Sequence, residues 1–247
     1  MNNYEIFHNL HQQNKPLIIA NAWNVTSARV FLDNGYKAIA TSSSAIANSL
    51  GYEDGEKISF GEMFFVVQRI ISGIDIPLSV DMETGYSPNI SEVITNIEKL
   101  FDIGVVGINL EDSQGKDLFI EKLTRIKNHL ARKNMQLFVN ARTDSFLENL
   151  PAALELTLDR LHPYEEAGAD GIFVPFVKEK DEIKKITSAT TLPVNVLCMP
   201  DLRSIEDLAE CGVRRISMGS FLFKAHYNQL DKLIKNIIAK QSFAPLF

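Results

Sequence analysis

Two hydrophobic rhythms take turns along the chain. Short, nearly unbroken apolar runs read as strands covered on both faces, because a strand with one wet face would alternate apolar and polar positions. Eight such runs occur: PLIIANAWN from Pro16, YKAIATSSS from Tyr36, IPLSVDMETGY from Ile76, VVGINLED from Val105, QLFVNARTD from Gln136, ADGIFVPF from Ala169, LPVNVLCMP from Leu192 and VRRISMGS from Val213. The stretches between them, such as SFGEMFFVVQRIISG, ISEVITNIEKLFDIG, NLPAALELTLDRLHPYEEAG and SIEDLAECG, carry apolar residues at helical spacing and open on Ser or Asn N-cap candidates. Four helix-to-strand joints share one form, Asp33-Asn34-Gly35, Asp102-Ile103-Gly104, Glu166-Ala167-Gly168 and Glu210-Cys211-Gly212. A glycine there suits the left-handed residue that ends a helix.

Eight strand-then-helix units predict a (β/α)8 TIM barrel, with residues 1–247 as a single domain that ends in a C-terminal helical extension. An open dinucleotide-binding sheet would show GxGxxG after its first strand, and none follows Ile19. The 247 residues suit one such barrel, and 45% hydrophobic against 23% charged residues is a globular balance. A formal charge of −6 gives no general attraction for a polyanion, so nucleic acid is not expected as a partner. No run reaches the roughly 18 apolar residues of a membrane span, and no basic-then-apolar leader opens the chain, which predicts a cytoplasmic protein that binds no membrane. Cys198 and Cys211 lack metal-type spacing and read as small buried hydrophobes.

In TIM barrels the chemistry sits at the C-terminal ends of the strands. There the sequence places Asp81 and Glu83, two apart on what reads as one extended strand and hence on one side of it, with Glu111 on the next strand. Three carboxylates at one mouth call for a hard cation, and oxygen ligands without His or Cys favour Mg2+ or Mn2+ over zinc. The alternative is that these acids cap helices or pair with Arg142. Arg142 offers a planar fork for a substrate carboxylate, or a salt bridge to Asp144. Thr41, Ser42 and Ser43 offer hydroxyls and successive amides for a second carboxylate. Together these describe a pocket for a small dianionic or keto-acid ligand, with a metal able to stabilise an enolate. Lys178, the one lysine near a strand end on this reading, lies in a charge run, which disfavours a Schiff base. Only Gly219 fits a phosphate loop after strand eight, and the five histidines fall on helices and surface.

With these residues in view, the chain resembles the isocitrate lyase / phosphoenolpyruvate mutase superfamily, in its short, barrel-only branch. The resemblance is carried by NAWNVTSARV from Asn21, TSSSAIANSLGYEDGE from Thr41, VDMETGY from Val80, GINLEDS from Gly107, NARTDSFL from Asn140, YEEAGADGIFVP from Tyr164, PVNVL from Pro193 and GVRRISMGSFLFKAHY from Gly212. It implies a Mg2+ site of Asp81, Glu83 and Glu111, direct or through water, with Asp54 as a further acid. It implies a substrate pocket of Trp23, Thr41, Ser42, Ser43, Asp81, Arg142 and Asn195, in which Arg142, Glu111 and Asp54 are the candidate catalytic groups. It also implies a homodimer or homotetramer that exchanges the C-terminal helix between subunits. That fits the apolar surplus of Phe221, Leu222, Phe223, Leu230, Leu233, Ile234, Ile237, Ile238, Phe243 and Phe247.

Departures narrow the expectation. The lyases' Lys-Cys-Gly-His loop is replaced by Ser113-Gln114-Gly115-Lys116-Asp117, glutamate stands at 83 where aspartate is usual, and Val174-Pro175 stands where the tricarboxylate lyases have a glutamate. The expected activity is a C–C lyase, decarboxylase or hydrolase on an oxaloacetate-like or acylpyruvate-like molecule. Phosphoenolpyruvate mutase or phosphonopyruvate hydrolase chemistry is the first alternative, and a non-catalytic keto-acid-binding protein the second.

Overall fold

The structure is a computed structural model that describes residues 1–202 and 204–247. Its eight strands are β1 (Leu17–Ala22), β2 (Ile39–Thr41), β3 (Leu78–Asp81), β4 (Gly107–Glu111), β5 (Phe138–Arg142), β6 (Gly171–Val174), β7 (Val194–Leu197) and β8 (Arg215–Ser217). All neighbours are parallel, and β8 pairs with β1 through Leu17–Arg215, Ile18–Ile216 and Ile19–Ser217, so the barrel closes in sequence order. Each strand lies within its predicted run. The four joint glycines have φ between 82° and 97°, the left-handed region that lets the chain leave a helix and turn straight into a strand.

The outer ring comprises α2 (Val25–Asp33), α3 (Ser43–Ser49), α4 (Phe60–Ile71), α5 (Ile90–Asp102), α6 (Lys116–Lys133), α7 (Ala153–Glu166), α8 (Lys180–Ser188) and α9 (Ile205–Glu210), with α1 (Asn3–Leu10) before the barrel and α10 (Phe221–Lys240) after it. Side chains of Asn24, Ser42, Ser59, Asn89 and Ser204 accept from N–H groups in the first turns they precede, and Ser59 with Glu62 forms a reciprocal capping box. The main core lies between ring and wall, where Val80, Ile108, Val139, Ile172 and Val196 meet helix residues such as Met63, Ile97, Leu123 and Leu161.

Alternate strand residues share the inside of the barrel, and their chemistry changes with height. At the N-terminal end the inside is apolar: Leu17, Ile19, Ala38, Ala40 and Phe138 form a second core closed by Phe7 of α1. The packing is tight, since a Cβ on Gly107 would stand 2.9 Å from the Phe7 ring and one on Gly171 would stand 2.9 Å from Asn140 Oδ1. The middle layer is polar, with Ser79, Asn109, Asn140, Asn195, Arg215 and Ser217, all buried. The top is charged, with Asp81, Glu111 and Arg142. One histidine departs from expectation. His11, the C-cap of α1, is buried in the N-terminal closure, edge-on to Phe7 and stacked on Phe138 with ring centres 4.4 Å apart.

α10 differs from every other helix of seven or more residues. Phe221, Leu222 and Phe223 in its first turn pack on the core, yet none of its 20 residues is buried. Leu230, Ile234, Ile238, Phe243 and Phe247 are all exposed. Among the described residues no helix is long and apolar enough to cross a membrane.

Candidate active site

β3 delivers Asp81 to the mouth, and β2 fixes it there. Thr41 Oγ1 accepts from the Asp81 N–H at 3.0 Å, and Asp81 Oδ2 accepts from Ser43 Oγ at 2.8 Å and from the Ser43 N–H at 3.4 Å. Asp81 Oδ1 is buried with no partner. Thr41 and Ser43 therefore hold the aspartate, and Ser42 caps α3 through the Ala45 N–H. A free amide nest for a ligand, as the sequence suggested, is thus largely taken up by Asp81 and the cap. Ser42, Ser43 and Ser44 still line the mouth.

β3 ends at Asp81, and the expected shared face of Asp81 and Glu83 is absent. Glu83 has φ 48° and Tyr86 has φ 60°, so the chain turns through two left-handed non-glycine residues. Such conformations persist where surroundings hold them. Glu56 Oε1 accepts from Thr84 N–H (2.9 Å), Thr84 Oγ1 (2.8 Å) and Tyr86 N–H (2.9 Å), while Lys122 Nζ donates to the Thr84 carbonyl at 2.6 Å. Glu83 is buried and accepts from the Tyr86 hydroxyl at 3.2 Å.

The next strands supply an ion-pair chain. Arg142 Nη1 lies 2.9 Å from Glu111 Oε2, Arg142 Nε donates to Asp144 Oδ1 at 2.6 Å, and Nη2 donates to Asp144 Oδ2 at 3.0 Å. Both carboxylate alternatives for Arg142 are realised together. Behind them, buried Asp112 accepts from the Asp144 N–H at 3.0 Å and the Tyr164 hydroxyl at 2.5 Å, and pairs with Arg160 at 3.0 Å. This arrangement fixes the guanidinium plane.

The charge balance is lopsided. Burial, then Asp81, Asp54, Glu111 and Glu56, push the Glu83 carboxyl up to about 8. Burial also raises Glu111 to about 7, with Arg142 opposing and Asp144 and Asp81 adding. Burial works against the Arg142 charge, but Glu111, Asp144 and Asp81 outweigh it and raise its pKa further. Among the described residues no three acidic, His or Cys side chains stand close enough to hold an ion by direct ligation alone. The donor set instead offers one free buried carboxylate oxygen on Asp81, with Glu83, Glu111 and Asp54 around it. Such a set fits Mg2+, which retains several waters and takes few protein ligands directly.

A cavity of about 330 Å³ opens above Asp81, lined by Asn21, Asp54, Asn109, Arg142, Ser217 and Lys224 and walled by Leu147, Phe173, Pro175, Phe176, Leu197 and Phe221. Trp23 is not among the lining residues. Its ring packs against Phe31, Phe223 and His226, under the start of α10. Asn195 is buried in the middle layer, its Oδ1 accepting from Ser217 Oγ at 2.7 Å. Sequence reasoning missed Lys224, because α10 looked like an appendage, and passed over Arg215. Period two along a covered strand would have found the latter: Ile216 faces out, so Arg215 and Ser217 face in.

The family model for phosphoenolpyruvate phosphomutase matches residues 7–238. The chain belongs to that family. It lies within the isocitrate lyase / phosphoenolpyruvate mutase superfamily, a group of lyases and mutases. An uncharacterized protein of Mycobacterium tuberculosis is 36% identical over 220 residues, 89% of this chain and 83% of that protein. The oxaloacetate decarboxylase of Rhodopseudomonas palustris is 30% identical over 209 residues, 79% of this chain and 71% of that one. A solved structure from Burkholderia cenocepacia J2315, assigned provisionally as a phosphonomutase, superposes with a TM-score of 0.89 at 35% identity, covering 94% of this chain and 99% of the other.

Proposed function

We propose that this family member is a Mg2+-dependent enzyme that cleaves a C–C bond in a small α-keto acid of oxaloacetate-like or acylpyruvate-like type, through an enolate. The observation that carries the reading is the unpartnered, buried Asp81 Oδ1 at the floor of the pocket, beside Glu83 and Glu111, which are pushed up to about 8 and about 7. Asp81 would hold the ion directly, and Glu83, Glu111 and Asp54 through water. When bound, Mg2+ supplies a Lewis acid for the keto and carboxylate oxygens and for the charge that develops as the bond breaks.

The chain's own residues do the rest. Arg142, locked by Asp144 and Glu111, presents its remaining N–H groups in a fixed direction and cannot swing with the substrate. Phe173, Phe176, Leu147 and Phe221 wall the cavity and shed water, which strengthens each charge interaction inside. Lys224 lies on the α10 side of the cavity and meets a second anionic group of the substrate. The short turn Ser113–Gly115 leads straight into α6, which leaves no cysteine-bearing loop over the mouth. The cavity size and the apolar Val174-Pro175 at the end of β6 favour a small substrate over a tricarboxylate.

Phosphonopyruvate-type P–C chemistry is the second reading, supported by the family's description and by the Burkholderia likeness. A screen of oxaloacetate, acylpyruvates and phosphonopyruvate with and without Mg2+, following pyruvate, carboxylic acid, phosphate and phosphoenolpyruvate, separates the two. Turnover of none, with keto-acid binding intact, would leave a non-catalytic binding protein. The assembly follows from α10: its uncovered apolar residues seat on a second subunit, giving a homodimer or homotetramer with exchanged helices. Light scattering giving a monomer of 27.7 kDa would contradict this.

A further inference from the structure

One fully buried cation lies beneath the site and takes no part in the ion pairs of its mouth. Arg215, the first residue of β8, is 1% exposed. Its Nη2 donates to Asn109 Oδ1 at 3.4 Å, and its guanidinium lies 5.8 Å from the Phe7 ring centre. Its Nε and Nη1 have no partner, and among the described residues no acid forms an ion pair with it. Taking a guanidinium out of water without a counter-ion is strongly unfavourable, so replacement by a hydrophobe would ordinarily be favoured.

Two observations tie this charge to the mouth. Among the described residues, the charge that favours the Arg215 cation against burial is the Asp81 carboxylate, whose Oδ1 is itself buried and unpartnered. Asn109, which lines the cavity, has its Oδ1 engaged below by both Asn140 Nδ2 (2.9 Å) and Arg215, and so turns its amide nitrogen away from them. Arg142 is neutralised by Glu111 and Asp144, whereas Arg215 is not neutralised by direct contact. Among the described residues, Lys224 at the rim and Arg215 beneath the floor are therefore the positive charges of the site that no carboxylate pairs with, and of the two only Arg215 is buried.

We propose that Arg215 is a positioning residue whose fixed charge under Asp81 makes the mouth take a divalent cation together with a carboxylate ligand, in preference to the bare cation. The inference rests on the keto-acid reading above. A fixed positive charge beneath Asp81, bonded to the Asn109 that pairs with Asp81 across the strands, repels a lone dication and attracts the anion that accompanies it, through a medium where charges are poorly screened.

Calorimetry on the full chain tests this with two titrations: Mg2+ alone, and oxalate, a planar dianion shaped like the enolate of pyruvate, at saturating Mg2+. In Arg215→Met the expected shifts have opposite signs, Mg2+ alone binding about three- to tenfold tighter and oxalate about three- to tenfold weaker, the size expected of one buried charge at that range. Arg215→Lys, which keeps the charge, stays near wild type in both. If the methionine variant does not fold, Arg215→Gln keeps a donor for Asn109 without the charge and should show the same pair of shifts. Unchanged affinities in a folded neutral variant, or equal weakening of both ligands in the Lys and neutral variants, would reduce Arg215 to packing and overturn the inference. Wild-type protein that bound neither Mg2+ nor oxalate would overturn the keto-acid reading first.

Discussion

The two ends of the barrel are built on opposite principles. At the C-terminal end, six acids among the described residues (Asp54, Asp81, Glu83, Glu111, Asp144 and Glu148) line two adjoining cavities with Arg142 and Lys224, and two of them are driven to near-neutral pKa values. At the N-terminal end, Phe7, His11 and Phe138 close the barrel with ring contacts, and the one ionisable member is held neutral. His11 Nδ1 is bonded to the Phe7 carbonyl at 2.8 Å, and burial, then Arg215, push its pKa down to about 3. The plug gains stability from its contacts, whereas the mouth gives stability up to keep charges where a ligand can use them. The same strands serve both because their inward residues change from apolar to polar to charged along the axis.

Breaking the plug should cost most. Phe7→Ala removes a ring packed on Phe138 and His11 and should lower stability by about 3–5 kcal/mol in denaturant titration. It should change Mg2+-dependent keto-acid binding far less than Asp81→Asn does, since Phe7 reaches the mouth only through the Arg215 guanidinium beside its ring. Next in size, Asp81→Asn should weaken that binding by more than the roughly 10- to 100-fold seen for residues that merely support a metal. It should not lower the melting temperature of the ligand-free protein. A destabilised Asp81→Asn protein with intact binding would reverse the assignment of the two ends.

Arg142→Lys should weaken keto-acid binding at least about tenfold, because a point charge replaces a fork whose charge-assisted bonds are worth roughly 1.5–3 kcal/mol each. Calorimetry reads the difference directly. A pH effect of opposite sign at the two ends is spread over several pH units. Unfolded His11 takes a proton near its ordinary 6.5 while the native residue does so only near 3, so the plug loses stability as pH falls below about 6.5. Native Glu83 and Glu111 keep protons to about 8 and 7, against an ordinary 4.5, so the mouth loses stability as pH rises from about 4.5 through 8. Saturating Mg2+ should flatten the melting curve on the alkaline side only, and flattening on the acid side would break the comparison.

The barrel was legible because its grammar is local: unbroken apolar strands, helical spacing, and a glycine at each joint act over a few residues. Asp81, Glu111 and Arg142 were legible too, since each sits at the end of a strand whose register the apolar run fixes. Glu83 departs from the expected face because the chain leaves extended geometry after β3 ends, under bonds between Thr84 and both Glu56 and Lys122, which lie 28 and 38 residues from Thr84. No local pattern announces such a clamp. Trp23 reads as a mouth residue by position, yet its ring turns to the base of α10, a choice made by packing against Phe223 rather than by strand periodicity. The sequence places His11 among helix and surface histidines, and only the closed barrel shows that the end of α1 buries it.

The thermal unfolding of wild type and Asp81→Asn in four solutions, without additions, with Mg2+, with oxalate and with both, tests the division of labour most directly. The account predicts that Mg2+ and oxalate together raise the wild-type melting temperature by more than the sum of their separate effects, and that this excess vanishes in Asp81→Asn. An oxalate shift independent of Mg2+, or an excess that survives the loss of the Asp81 charge, would contradict it.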